Sequence, residues 1–311
     1  MNKNFKIACI ALGSLLISST FLNCSDENPS VDVEEPSEKP GENPENEETG
    51  GGGFNIPDEV LEKVTAIYGQ ASIEPQEVKS VGQLAILTSI CAARQVDGPI
   101  SVTSAELNKE EITLVTLGGT EEKEGQATSM NESQLAAFGK SNDYLTAVTK
   151  LFTDHTIPQD KPVLITGISL GGMIAQQVLG VDAILKNFQI RGVITFGSPI
   201  TLPLDRHEVK VVRFADTHDK VPVLGESILR MGVITSDLSK AELKEKLNEL
   251  DTKEKIARTS KYSGMIETHA LSYIEDKCWN DVDFLGDKEK KNVLVLKETM
   301  KFYPAPKQSN K

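Results

Sequence analysis

Four short runs rich in β-branched residues recur along the middle of the chain: ITLVTL (112–117), PVLITG (162–167), GVITFG (192–197) and VKVVRFA (209–215). Each is apolar at successive positions, as a strand buried on both faces requires. Amphipathic stretches separate them. SNDYLTAVTKLF places Tyr144, Leu145, Val148, Leu151 and Phe152 on one helical face, and the segment after the second run spaces Leu170, Ile174 and Val178 by four. Strands alternating with helices predict an α/β fold with a mostly parallel central sheet and helices on both faces. Organisation begins near Phe54, where Val60, Leu61, Val64, Ile67 and Tyr68 follow Pro57-Asp58-Glu59 at helical spacing, with Asp58 placed to cap. Residues 236–261, opened by a capping box at Ser239 and Glu242, read as a solvated helical insertion of mixed charge or, more plainly, as a surface helix, the favoured reading.

The first fifty residues belong to no fold. Lys3 and Lys6 precede an apolar core, Ile7 to Leu22, too short and mixed for a membrane span. That core ends in Phe21-Leu22-Asn23-Cys24, which resembles a bacterial lipobox with Asn23 at the position usually held by a small residue. The resemblance implies cleavage before Cys24 and lipid on the new N-terminus; an ordinary secretory signal with an incidental cysteine is the plainer alternative. Residues 25–50 carry ten acidic side chains against Lys39 alone. Such a stretch has nothing to bury and is expected to be a solvated tether. Its opening Ser-Asp-Glu resembles the export signal of surface lipoproteins in the Bacteroidetes, which implies the outer membrane of a bacterial envelope. The expected division is a signal (1–23), a lipidated tether (24–53) and one domain (54–311).

Charge changes the picture once it is divided. Of the net −13, the signal supplies +2 and the tether −9, so residues 51–311 carry only −6. A mildly acidic domain with one tryptophan and no basic stripe excludes nucleic acid as an expected partner. Cys91 and Cys278 have no metal-ligand spacing, so no metal or cofactor is expected; they are either a disulfide in an export compartment or two buried thiols. A monomer is expected.

Gly167-Ile168-Ser169-Leu170-Gly171 fits G-x-S-x-G where a strand gives way to a helix. In that context the serine is a candidate nucleophile on a strained turn; the bland reading is that the glycines allow a turn and Ser169 caps the helix. A serine hydroxyl needs a base and the base an orienting carboxylate, in the chain order Ser, acid, His. His155 precedes the serine, and His207 and His218 precede the best acid, which leaves His269. Asp219, in the loop after the fourth run, is the favoured acid and Asp216 its rival.

GISLGG, ITFGSP (194–199), HDKVP (218–222) and THALSY (268–273) occur in the order found in the class 3, fungal-type lipases. The chain resembles that family over roughly residues 110–275, which implies an α/β-hydrolase fold and a Ser169, Asp219, His269 triad. Leu170 and Thr120 are the implied oxyanion-hole donors, the latter in Leu117-Gly118-Gly119-Thr120, whose glycines alternatively make a simple tight turn. Gly118 and Ile168 replace an arginine and a histidine common in the family. Lipases of this family carry an amphipathic lid after that loop; here the stretch offers only Met130, Leu135 and Phe138 as large apolar residues, a thin lid that favours esters broader than triglyceride. The expected activity is therefore hydrolysis of lipid or acyl esters, with a non-catalytic binding lipoprotein as the alternative.

If Cys24 carries the anchor, Cys24→Ala releases the protein from membrane fractions into the soluble fraction on cell fractionation. Full retention of the variant in membranes would contradict the anchor.

Overall fold

A computed structural model describes residues 58–93, 98–120, 125–137, 139–223, 238–274, 276–289 and 291–307. The signal, the lipobox with Cys24 and the acidic tether lie outside the described residues, as does the Cys91 side chain that the disulfide expectation concerns. In chain order the elements are α1 (Asp58–Gln70), β1 (Glu77–Val78), α2 (Val81–Ala93), β2 (Ile100–Leu107), β3 (Glu110–Leu117), α3 (Met130–Ala137), α4 (Asp143–Thr153), β4 (Val163–Ile168) and α5 (Leu170–Gln177). They continue with α6 (Asp182–Leu185), β5 (Ile190–Phe196), β6 (Val211–Asp216), α7 (Lys240–Glu254), β7 (Lys255–Arg258), α8 (Met265–Leu271), α9 (Asp276–Trp279), β8 (Leu294–Leu296) and β9 (Lys301–Tyr303). Asp58, expected to cap α1, is its first described residue.

The strands form one mixed sheet in the order β1-β8-β2-β3-β4-β5-β6-β7, with β9 also on β2. From β3 to β7 every pairing is parallel, whereas β1, β2, β8 and β9 pair antiparallel. All four predicted runs are parallel strands, β3 to β6. Their continuous apolarity has a simple cause, because neighbouring side chains point to opposite faces and both faces are covered. Val115, Ile165 and Val193 join the core under α4 and α5, while Leu114, Leu164 and Ile194 join the core under α2 and α9. Helix α2 escapes periodicity because it is apolar nearly all round, with Val81, Leu84, Leu87 and Ile90 all buried. Strand β2 escapes it because buried hydroxyls interrupt its pattern; Ser101 lies opposite Thr116 of β3 and their hydroxyl oxygens are 2.6 Å apart.

The expected solvated insertion at 236–261 needs correction. Its helix, α7, is present with the capping box formed by Ser239 and Glu242. Leu243, Leu247 and Leu250, spaced as one helical stripe, are nevertheless buried with Ile200 and Leu204. The segment then becomes β7, the parallel neighbour of β6. Charge also turns inward here. Glu254 is buried against Arg206 (Nε–Oε1 2.9 Å) and Arg213 (Nε–Oε2 3.3 Å), and Arg213 also pairs with Asp251. Burial pulls the Arg206 guanidinium below its ordinary value, with the Glu254 carboxylate opposing that. Arg206 further donates to Gln176 of α5 (3.1 Å), so this cluster ties α7 to both α5 and β6.

Removing one partner of a buried ion pair leaves the others desolvated and uncompensated. Glu254→Gln should therefore cost about 3–5 kcal/mol of unfolding free energy in urea titrations. A loss below about 1 kcal/mol, the scale of an exposed pair, would contradict the cluster's structural role.

Candidate active site

At the end of β4 the backbone of Ser169 adopts φ 52 and ψ −120, outside the regions an L-residue prefers. Such strain costs of order 1–3 kcal/mol and persists only when the surroundings over-determine it. They do so here through close backbone approach. A Cβ on Gly167 would overlap the carbonyl of Gly171, and one on Gly171 would overlap the carbonyls of Leu117 and Gly118. Ser169 donates its N–H to Phe196 O of β5 (2.9 Å), and its own carbonyl accepts from Gly172 and Met173 to start α5. Ser169 is the N-cap residue of α5 by position, but its hydroxyl makes no capping bond to the helix, so capping does not account for the side chain.

Two loops bring the other residues to the same end of the sheet. Asp219 follows β6 and His269 sits on α8. The His269 Nδ1 lies 2.7 Å from Asp219 Oδ2, and against a carboxylate that nitrogen is the donor. Oδ1 of Asp219 accepts the N–H of Val221 (2.9 Å). The other imidazole nitrogen, Nε2, is buried and makes no hydrogen bond among the described residues, to Ser169 or elsewhere. Asp216, the rival acid, is spent on backbone: it accepts from the N–H groups of His218 (2.8 Å) and Ser260 (3.1 Å). His155, His207 and His218 are all exposed.

Gly197 ties serine and histidine together. It follows Phe196, the residue that holds the Ser169 amide, and has φ +55. A Cβ there would lie 2.7 Å from the Tyr273 ring, 2.9 Å from His269 Cε1 and 3.0 Å from Asp219 Oδ2. Only a bare backbone lets the His–Asp pair settle this close to the elbow.

Tyr273 is the residue that sequence reasoning missed. Its hydroxyl donates to Asp219 Oδ2 (2.7 Å) and accepts the N–H of Asp216 (3.1 Å). The ring stacks on Trp279, with centroids 6.0 Å apart and planes at 13°. Burial above all, then the Asp219 charge, pushes the phenol well above its usual 10.0, so it remains a donor. Its spacing of four from His269 was the available signal, since two helical positions four apart share a face.

The loop Gly118-Gly119-Thr120 closes the site from β3. Gly118 donates to Pro99 O (2.8 Å), and the Tyr144 hydroxyl oxygen lies 3.1 and 3.2 Å from the carbonyls of Pro99 and Gly118. A Cβ on Gly119 would be 3.4 Å from Ser169 Cβ, which puts this loop beside the elbow. Leu170, the other implied donor, is the first residue of α5, where N–H groups lack intrahelical partners. Thr120 is buried with its hydroxyl oxygen 2.7 Å from that of Ser133 on α3. The stretch expected as a thin lid thus includes a docked helix: Ala136 O accepts from Gln177 (3.2 Å) and Thr201 (2.9 Å), and Glu132 accepts the N–H of Asp143 (3.0 Å). Residues 121–124 and 138 of that stretch lie outside the described residues. Among the described residues, no group of three His, Cys, Asp or Glu side chains is arranged to hold a metal.

Tyr273→Phe keeps the stacked ring but leaves Asp219 short of a donor and the Asp216 amide short of an acceptor. Hydrogen bonds to charged groups contribute about 1.5–3 kcal/mol. A loss of that order should appear in chemical denaturation of the variant, and an unchanged midpoint would contradict the burial of this network.

No family model, curated protein or solved structure matches the chain, so its chemistry is read from the geometry of these residues.

Proposed function

We propose that this protein is a serine hydrolase of carboxylic esters, acting on lipids or acyl esters through Ser169, His269 and Asp219. The observation that carries the reading is the buried Asp219–His269 hydrogen bond whose second nitrogen is unpartnered, set across Gly197 from a strained, uncapped Ser169. Ser169 attacks the ester carbonyl while His269 Nε2 takes its proton and then delivers it to the leaving alcohol. Asp219 holds the imidazole in the tautomer that leaves Nε2 basic and stabilises the imidazolium. The N–H groups of Leu170 and Thr120 hold the oxyanion, aided by the N-terminus of α5. Water then repeats the sequence on the acyl-enzyme.

The mixed sheet with a serine between β4 and α5 supports an α/β-hydrolase fold of the class 3 lipase kind. Docking of α3 against α5 supports an esterase or lipase of broad specificity over one that grips fat droplets with a long amphipathic lid. The lipobox-like Cys24 and acidic tether support display on the bacterial envelope as an outer-membrane lipoprotein. One feature favours the alternative of a binding lipoprotein: the Ser169 hydroxyl makes no hydrogen bond to His269 Nε2. Free enzymes commonly show this looseness and tighten with substrate.

A fluorophosphonate probe is expected to label the protein at Ser169, and lack of labelling would favour the binding role. Ser169→Ala or His269→Ala should lower ester turnover roughly 10⁶-fold, and Asp219→Asn on the order of 10⁴-fold. Asp216→Asn should cost far less. Loss of hydrolysis in Asp216→Asn with retention in Asp219→Asn would reverse the assignment of the acid.

A further inference from the structure

The end of the parallel sheet away from Ser169 carries a groove that ester chemistry leaves unused. Ser169 follows the last residue of β4, whereas two adjoining hollows of about 340 and 260 Å³ lie at the starts of β5 and β6 and along the edge strand β7. They share Lys210, Val212 and Leu285 and so form one groove. Its floor is apolar. Ile256 of β7 pairs with Phe214 of β6, and side chains two apart share a face, so Val212 and Ile256 lie on the same side of the sheet. Val282 and Leu285 make the opposite wall. Gly286, at φ +76, lets that wall approach the strands: a Cβ there would sit 3.1 Å from Ile256 Cδ1 and 3.4 Å from Val212 Cγ1.

The rim has the opposite chemistry. Arg191, Lys210, Lys253, Lys255, Arg258 and Lys288 line it, in a domain whose net charge is −6. Of the two acids in the lining, Glu254 is buried against Arg206 and Arg213, which leaves Asp287 to face these cations. Arg191, Lys253, Lys255 and Arg258 pair with Glu110, Glu249, Asp251 and Asp281, none of which lines the groove. Lys210 and Lys288 are exposed and form no ion pair among the described residues. We propose that this groove binds an amphiphilic carboxylate of the medium-chain fatty acid class, with its head at Lys210 and Lys288 and its tail on Val212, Ile256 and Leu285. The cations select an anion, and the apolar floor selects an anion that carries a tail. The larger hollow falls within the roughly 300–1,000 Å³ of small-molecule sites. Acids released by ester hydrolysis belong to this class, but no residue of the Ser169, His269, Asp219 set lines the groove, so binding here does not rest on the esterase reading.

The test is calorimetric titration of the full chain with decanoate, 1-decanol and acetate. Decanoate should bind saturably. The alcohol, which lacks the charge, should bind about 10-fold more weakly, and acetate, which lacks the tail, more than about 100-fold more weakly. Lys210→Glu combined with Lys288→Glu should weaken decanoate binding by about 10-fold or more, at an unchanged unfolding midpoint and an unchanged rate on p-nitrophenyl butyrate. Raising the salt from about 0.05 to 0.5 M should weaken binding to the wild type and leave the double variant nearly unaffected. Decanoate binding that survives the double variant unchanged lies elsewhere on the protein and would overturn the site. Equal affinity for 1-decanol, or no saturable binding of decanoate, would overturn it as well. A protein that bound decanoate in this way but hydrolysed no ester would overturn the esterase reading and leave the groove in place.

Discussion

The close approach of three backbone segments at the elbow governs the arrangement around it. The chain leaves β4, reverses at Ser169 and enters α5 so tightly that Gly167 faces the Gly171 carbonyl and Gly171 faces those of Leu117 and Gly118. Positive φ at Ser169 costs conformational energy, and that conformation is held in place by the hydrogen bond from its N–H to Phe196 O and by the helix that follows. Because the same contact presses the β3 loop against α5, the glycines set where this loop runs, and Thr120 is held further by its hydroxyl contact with Ser133. Any side chain at 171 would push the candidate oxyanion loop away from the serine.

Around this backbone frame, buried charge is handled in two different ways. Asp219 receives hydrogen bonds from the Val221 amide, His269 and Tyr273, so a single carboxylate is satisfied by donors converging from the segment after β6, from α8 and from the turn after it. Glu254 instead neutralises two arginines and clamps α7 to β6 and α5. Both acids are buried; the Asp219 group leaves the imidazole Nε2 without a hydrogen bond among the described residues, whereas Arg213 Nε, which also lacks one, still lies 3.3 Å from the Glu254 carboxylate. A buried polar atom without a partner is costly, and such costs are tolerated where chemistry needs them. The Glu254 cluster, by contrast, satisfies both carboxylate oxygens and reaches no nucleophile.

Ser169 and His269 are respectively 2% and 1% exposed, so the frame that organises these groups also shields them. A water-poor setting strengthens hydrogen bonds to a developing oxyanion and raises the cost of any donor left idle. The hydroxyl pair of Thr120 and Ser133 belongs to that setting, with its oxygens 2.7 Å apart and both residues buried.

The strands β3 to β6 and the helices α4 and α5 were legible because burial on both faces writes continuous apolar runs, and burial on one face writes a period near four. The G-x-S-x-G turn, His269 by its chain order and Asp219 by its loop were legible for a similar local reason: each is a residue type in a recognisable stretch. Helix α2, strand β2 and the edge strand β7 were not, since an all-apolar helix has no periodicity, Ser101 and Thr103 disguise a buried strand, and β7 is defined only by its neighbour. The inward face of α7 is a leucine stripe that its many charges obscure in the sequence. The buried Thr120–Ser133 contact and the place of Gly197 beneath the His–Asp pair belong to tertiary structure alone. Their roles depend on which oxygen or ring lies within 3 Å across 13 to 76 residues of chain, a distance that sheet order and loop closure fix and residue spacing does not encode.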